Sequence, residues 1–224
     1  MITAKKNNTN YTAFINAIIK EIPEGTPIFT NEITNIVVKE LHIDLYRARK
    51  IVNTSLNRLK GTSIENFRKG IYYKPKVTIF GKTPLNPTQI IARKYVIQKN
   101  DIVGYETGAS FLQKIGLATQ LPKYHHIVTN LVNHRGNKVD NDLKVVLRKP
   151  KVRIDAKNVK YLQVLDAVEN KDRIPVDAKL PYKIINDFIE QNSLDFGRLI
   201  ALANTQYPKI VITRLLKIAQ ATRL

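Results

Sequence analysis

From Tyr11 to Ile22 apolar side chains return every three or four positions, at Phe14, Ala17, Ile18 and Ile22, which places them on one helical stripe. Pro23 and Gly25 close that segment. The same period resumes at Ile33, Ile36, Val37 and Leu41, all expected to face inward, with Thr30 as the N-cap. It returns a third time at Leu45, Ala48, Val52, Leu56 and Leu59, behind Asp44, whose carboxylate suits the positive end of a helix. After Gly61 the period becomes that of strands. Ser63 to Phe67 and Ile71 to Tyr73 flank Arg68-Lys69-Gly70, a short turn whose glycine can take positive φ. Three helices followed by a hairpin with a cationic tip is the order of a winged helix-turn-helix. In that fold the third helix enters the major groove and the wing meets the backbone or the minor groove.

The stretch KPKVTIFGKTPLNPT, residues 74–88, holds three prolines and a glycine and reads as a boundary. Beyond it Pro87 to Gln98 predicts a helix, Gly104-Tyr105 a turn feeding a second helix over Gly108 to Ile115, and Asn158 to Val168 a third. His125 to Thr129, Leu143 to Leu147 and Val152 to Ile154 predict strands. Pro181 to Glu190 and Pro208 onward, with Ile210, Leu215 and Ile218, predict two more helices. The expected class is therefore α+β: a winged helix-turn-helix over residues 1–80, then a mixed domain over 81–224 with a small sheet and several helices.

Charge sharpens this outline. Lys and Arg number 37 against 18 Asp and Glu, a net +19, and such an excess concerns partners rather than fold. The twenty residues between Asp44 and Glu65 contain no acid. On the predicted third helix, Arg47, Lys50, Asn53, Thr54, Asn57 and Arg58 fall opposite the apolar stripe. Cations there meet phosphates, while amides and guanidiniums read base edges. Arg68 and Lys69 at the wing complete the expected DNA-binding set, and Lys5 and Lys6 would add an N-terminal arm. A solvated helix face is the plain alternative for any one basic helix; the helix–helix–helix–hairpin order favours the groove.

Most of the positive charge lies elsewhere, with +7 in residues 1–80 and +12 in the rest. Lys144, Arg148, Lys149, Lys151, Arg153, Lys157 and Lys160 form its densest part, and alternation over Arg148 to Arg153 predicts several cations on one sheet face. Either this is a strand edge guarded by lysines, or Lys144, Arg148, Lys149, Lys151, Arg153 and Lys157 form a docking surface for an acidic protein or nucleic acid.

Three segments carry a family resemblance. Gly104-Tyr105-Glu106-Thr107-Gly108-Ala109-Ser110-Phe111 is followed by Ile115-Gly116-Leu117-Ala118-Thr119-Gln120-Leu121-Pro122 and by His126-Ile127-Val128-Thr129-Asn130. With Arg68-Lys69-Gly70-Ile71-Tyr72-Tyr73-Lys74-Pro75 upstream, they resemble the AbiEi family of bacterial antitoxins over roughly residues 10–155. Ala118 stands where a second Thr is expected, and no glycine precedes Arg68 in the wing. The resemblance implies a winged helix that represses its own operon in a type IV toxin–antitoxin, abortive-infection system. It implies a second domain needed for antitoxicity and a nucleotidyltransferase-like toxin, AbiEii, as functional partner, opposed without a necessary stable complex. Operators for such folds often contain inverted repeats, so two copies on DNA and a monomer or weak dimer in solution are expected.

Catalysis finds little purchase. The glycines at 104 and 108 lack the Lys-Ser/Thr of a P-loop and the dinucleotide GxGxxG spacing. His125 and His126, neighbours on a predicted strand, point to opposite faces and cannot easily share an ion. Asp140 and Asp142 fit either a divalent ion or a turn before the next strand. No HExxH, carboxylate pair or Ser-His-Asp pattern is legible. The expectation is a non-enzyme without metal or cofactor. With no cysteine, no secretory signal and no run of 18 apolar residues, it is also expected to be cytoplasmic and off the membrane. General RNA binding, with Tyr72 and Tyr73 as stacking platforms, is the remaining alternative, although packing explains both rings more simply.

Overall fold

Asn10 opens the first helix: its Oδ1 accepts the Ala13 N–H at 3.1 Å and caps α1, Tyr11–Lys20. In this computed structural model residues 10–134, 136–173 and 176–221 are described, without the side chain of Arg173. Lys5 and Lys6 lie outside the described residues. The architecture is mixed, with helices packed around small sheets, and it divides into two compact units between Ile90 and Ile91. The sequence places that division ten residues earlier, at the proline-rich stretch. Residues 74–90 instead fold with the first unit, through a short hairpin of β4, Val77–Thr78, and β5, Gly81–Lys82, and the start of α4, Pro87–Ile91.

In the first unit β1, Pro27–Phe29, runs directly into α2, Thr30–Leu41. Thr30 is therefore the first helical residue rather than the cap. Its N–H is satisfied across the sheet by Gly70 O at 3.0 Å, and its carbonyl accepts Thr34 Oγ1 at 2.7 Å. His42, with φ +52°, ends α2, and after Ile43 the Asp44 carboxylate accepts the Arg47 N–H at 2.9 Å to start α3, Leu45–Leu59. A β2–β3 hairpin follows, Glu65–Arg68 and Ile71–Tyr73, with β3 in the middle of an antiparallel β1-β3-β2 sheet. Ile15, Ile19, Ile33, Val37, Ala48, Val52 and Leu56 form the core between the helices. Each fully buried Val or Leu side chain contributes about 1.5–3 kcal/mol. Three residues of the expected apolar stripes stay outside. Ala17 is exposed, because α1 turns Ile15 and Ile19 inward instead. Leu45 is half exposed because the first turn of α3 precedes the packed stretch, and Ile36, one residue or 100° from Val37, lies at the core's edge.

The second unit has a four-stranded sheet in the order β10-β11-β9-β8, from Lys138–Asp140, Val145–Arg148, His125–Thr129 and Gly104–Thr107. β11 and β9 are parallel and the other pairs antiparallel. The Gly104-Tyr105 segment is thus a strand, leading into α5, Gly108–Lys114. The helix predicted to Gln98 ends early. α4 passes into a π-helical turn, Ala92–Val96, and then a hairpin of β6, Ile97–Gln98, and β7, Asp101–Ile102. The strand expected at Val152–Ile154 does not form. Pro150, with no N–H to give a ladder, follows β11, and the sheet's edge is taken by β10 instead. Asn130 holds the extended Ile154 by accepting its N–H at 2.9 Å and donating to its carbonyl at 2.8 Å.

One sheet face is covered by α6, Val159–Asn170. Beyond a 3₁₀ turn, Lys171–Arg173, come α7, Pro181–Gln191; α8, Phe196–Gln206; and α9, Lys209–Ala221. The middle one, α8, was not foreseen. Ile210, expected inward, is half exposed at the start of α9, while Val211, Leu215 and Ile218 carry its buried stripe.

Candidate functional site

The buried stripe of α3 fixes what its other face presents. With Ala48, Val52, Ser55, Leu56 and Leu59 turned inward, Arg47, Lys50, Asn53, Thr54, Asn57 and Arg58 are all exposed, and Arg49 joins them. None of these cations has a carboxylate partner among the described residues. Lys50 Nζ lies 4.7 Å from the centre of the exposed Tyr46 ring. Arg58 reaches across to α1, donating to Thr12 Oγ1 at 3.4 Å, and Thr12 also meets Ser55 Oγ at 3.3 Å. Between the helices runs an open groove of about 600 Å³, lined by Asn10, Thr12, Lys50, Thr54 and Arg58. Asn57 Oδ1 accepts the Tyr72 hydroxyl at 3.3 Å, so this amide is tied to the hairpin. Tyr72 is buried and Tyr73 half-buried, which leaves neither ring as an open stacking platform.

The hairpin differs from its expected form. Arg68 belongs to β2 and is half-buried, behind a bulge at Phe67 that shifts the register. Lys69 and Gly70, φ +79°, make the turn; Lys69 is exposed, while Gly70 O is held on α2 by Thr30. Asn66 Nδ2 closes the turn on Arg68 O and Ile71 O. The tip is thus short and carries one exposed cation. A second hairpin, missed in the sequence, projects further. At the β4–β5 turn Ile79 and Phe80 are 94 and 95% exposed, and Lys82 at its base pairs with Glu65 at 2.6 Å. The signal was the run Val77-Thr78-Ile79-Phe80-Gly81, strand-forming residues ended by a glycine with φ +97°, which the flanking prolines obscured.

In the second unit the basic segment is divided by its partners. Arg148 is the last residue of β11 and turns inward, donating from Nη2 to Asp166 Oδ2 at 2.7 Å. Lys151 binds the Glu169 carboxylate at 2.7 Å and lies 4.0 Å over the Tyr207 ring. Both are removed from the expected docking surface, and no row of cations on one sheet face exists because the strand stops at Arg148. Lys144, Lys149, Arg153 and Lys157 are exposed and meet no carboxylate among the described residues. Asp155, the acid between them, is engaged by backbone, accepting the N–H groups of Lys157 and Asn158 at 2.8 Å.

The polar residues of the sheet are accounted for by charge pairing and hydrogen bonds. Glu106 is held by His125 Nδ1 at 2.9 Å and by Lys114; burial would raise its pKa, but those hydrogen bonds outweigh it and hold it low. His126, on the opposite face, is kept neutral to lower pH than usual by partial burial, Arg148 and His125. Asp140 ends β10 and accepts Lys94 Nζ, the Tyr95 hydroxyl and the Leu143 N–H. These bonds overcome its partial burial and lower its pKa to about 2. It serves the turn rather than an ion, and no group of three potential metal-ligating side chains gathers among the described residues. Nor is any described helix long and apolar enough to cross a membrane.

No protein-family model matches the chain, and no curated protein matches it. Among solved structures, the crystal structure of the RV2827C protein from Mycobacterium tuberculosis aligns with 94% of this chain and 76% of its own, at 10% identity and a TM-score of 0.48.

Proposed function

We propose that the first unit is a winged helix-turn-helix that binds duplex DNA, and that the protein is an autorepressing antitoxin of the AbiE kind. The observation that carries the DNA reading is the exposed, acid-free face of α3, with Arg47, Lys50, Asn53, Thr54, Asn57 and Arg58 opposite a fully buried stripe. A three-residue turn from α2, the β1-β3-β2 sheet and the exposed Lys69 support it. Arg47 and Lys50 serve phosphate and base edges. Asn57 does so only by releasing Tyr72, and Arg58 by releasing Thr12. The antitoxin reading rests on the sequence resemblance, with an inverted-repeat operator, two copies on DNA and a nucleotidyltransferase-like toxin as the opposed partner.

In gel shifts on the region upstream of its own gene, Arg47→Ala with Lys50→Ala is expected to lose specific binding while circular dichroism stays unchanged. The wild-type log affinity is expected to fall against log salt with a slope of roughly −5, for about six neutralised phosphates. Undiminished promoter binding by the double variant defeats the assignment of α3.

A second reading has its own observation: Lys144, Lys149, Arg153 and Lys157 are exposed without carboxylate partners among the described residues, the arrangement an acidic protein surface would meet. If the toxin docks there, it co-purifies with the wild type, and Lys149→Glu with Arg153→Glu breaks the association at least tenfold. Clean separation of the wild-type pair on sizing excludes a stable complex.

A further inference from the structure

The side of the sheet that α6 covers is only partly filled. Register places Thr107, His126 and Val146 side by side in one row, and Tyr105, Val128 and Arg148 in the next. α6 buries Tyr105 and Val128, but His126 remains exposed and Val146 half-buried. The uncovered end is a pocket of about 310 Å³ lined by Thr107, Gly108, His126, Asn137, Arg148 and Asn170, and among the described residues no carboxylate lines it.

Arg148 is fixed at its edge in an unusual way. Asp166, buried beneath, accepts its Nη2 at 2.7 Å and is itself held by the hydroxyls of Tyr105, Thr107 and Tyr207. Among the described residues no second acceptor meets the guanidinium, and 40% of the side chain is exposed. A guanidinium whose one edge is anchored presents the other with its rotamer freedom already lost, the condition under which a fork of N–H donors binds an oxyanion most effectively. The imidazole of His126 stands on the adjacent strand, near enough for Arg148 to disfavour its protonation. We propose that this pocket is a phosphate site: the outer edge of Arg148 and the ring of His126 grip a phosphate group, free or terminal on a small molecule. This stands apart from duplex binding by the first unit and does not depend on it.

The test uses the full chain at constant ionic strength, titrated with inorganic phosphate in one arm and phenyl phosphate in the other, and followed at the His126 ring and Gly108 amide by NMR. Saturation is expected to shift both signals and to raise the His126 pKa. Tighter binding of phenyl phosphate assigns the site to a phosphorylated small molecule, and equal or weaker binding to the free ion; either supports the proposal. Arg148→Gln is expected to weaken phosphate at least tenfold, while Lys149→Gln, the same charge change on an exposed neighbour, alters it less than twofold. An equal response in the two variants, or no movement at His126 and Gly108, overturns the site. Should Arg148→Gln fail to fold, His126→Gln decides, since it lies outside the Asp166 network. A threefold or greater weakening read at Gly108 upholds the site, and unchanged affinity overturns it.

Discussion

Gly104→Ala is expected to destabilise the second unit by about 3 kcal/mol or more, at the upper end of what overpacking costs. A Cβ at that position would stand 2.3 Å from Tyr95 O and 2.8 Å from Val128 O, with Thr129 Cβ at 3.1 Å. Two of the three obstacles are backbone, so no side chain can swing aside. Either β8 must separate from β9, or the π-helical turn must move off the sheet; the first breaks ladder bonds, the second the Tyr95–Asp140 contact. Gly108 gives the comparison. It has the positive φ, +68°, and a Cβ there would meet only the His126 side chain, at 3.3 Å. Alanine at Gly108 then costs only the left-handed backbone, about 1–2 kcal/mol. Thermal melts should rank the variants wild type, Gly108→Ala, Gly104→Ala, and a reversed order of the two alanines would contradict the close approach of Tyr95.

That contrast marks how far the sequence was legible. Reading succeeded on most of α3, where structure follows from neighbours in the chain. Asp44 caps α3, and Ala48, Val52 and Leu56 form its buried stripe, because cap and stripe need only local spacing. The cationic face follows by subtraction. Gly104 looked like a turn because glycine usually signals one; its reason is an absent Cβ opposite a carbonyl nine residues away, which no local pattern encodes. β10 was not foreseen, whereas a strand was expected at Val152–Ile154; pairing with β11, which no local pattern encodes, decided between them. α8 went unread: Asp195 accepts the Arg198 N–H as its cap, but Gly197 and the polar Asn204-Thr205-Gln206 end hid a short helix that packs through Leu199 and Ala203. The basic segment was legible as charge and illegible as a site. The partners that withdraw Arg148 and Lys151 from it, Asp166 and Glu169, each lie 18 residues away on α6.

Asp166 is where that withdrawal can be measured. Asp166→Ala is expected to cost the second unit about 2–5 kcal/mol, chiefly through the buried donors it leaves without an acceptor. The donors left behind explain the size. Tyr105 and Tyr207 are buried, and their hydroxyls, 3.1 and 3.0 Å from the carboxylate, would lose their acceptor, at about 1–3 kcal/mol each. Arg148, partly exposed, can recover water and adds less. Asp166→Asn keeps the volume and one acceptor oxygen, so its loss should be smaller, and pH separates the two effects. Burial raises the Asp166 pKa, outweighing the opposite pull of Arg148, Tyr207 and Tyr105. A carboxyl raised in the folded state binds its proton more tightly there than in the unfolded chain. Its contribution is therefore greatest at low pH and declines as pH rises from the ordinary carboxyl value toward the folded one. The asparagine does not titrate, so the stability gap between wild type and Asp166→Asn should narrow over that interval in denaturant titrations. A gap that widens with pH would mean that Arg148 and the tyrosines overcome desolvation. Asp166 would then be an anchor held by its charge, and the ion pair rather than the two hydroxyls would be what fixes Arg148 at the edge of its pocket.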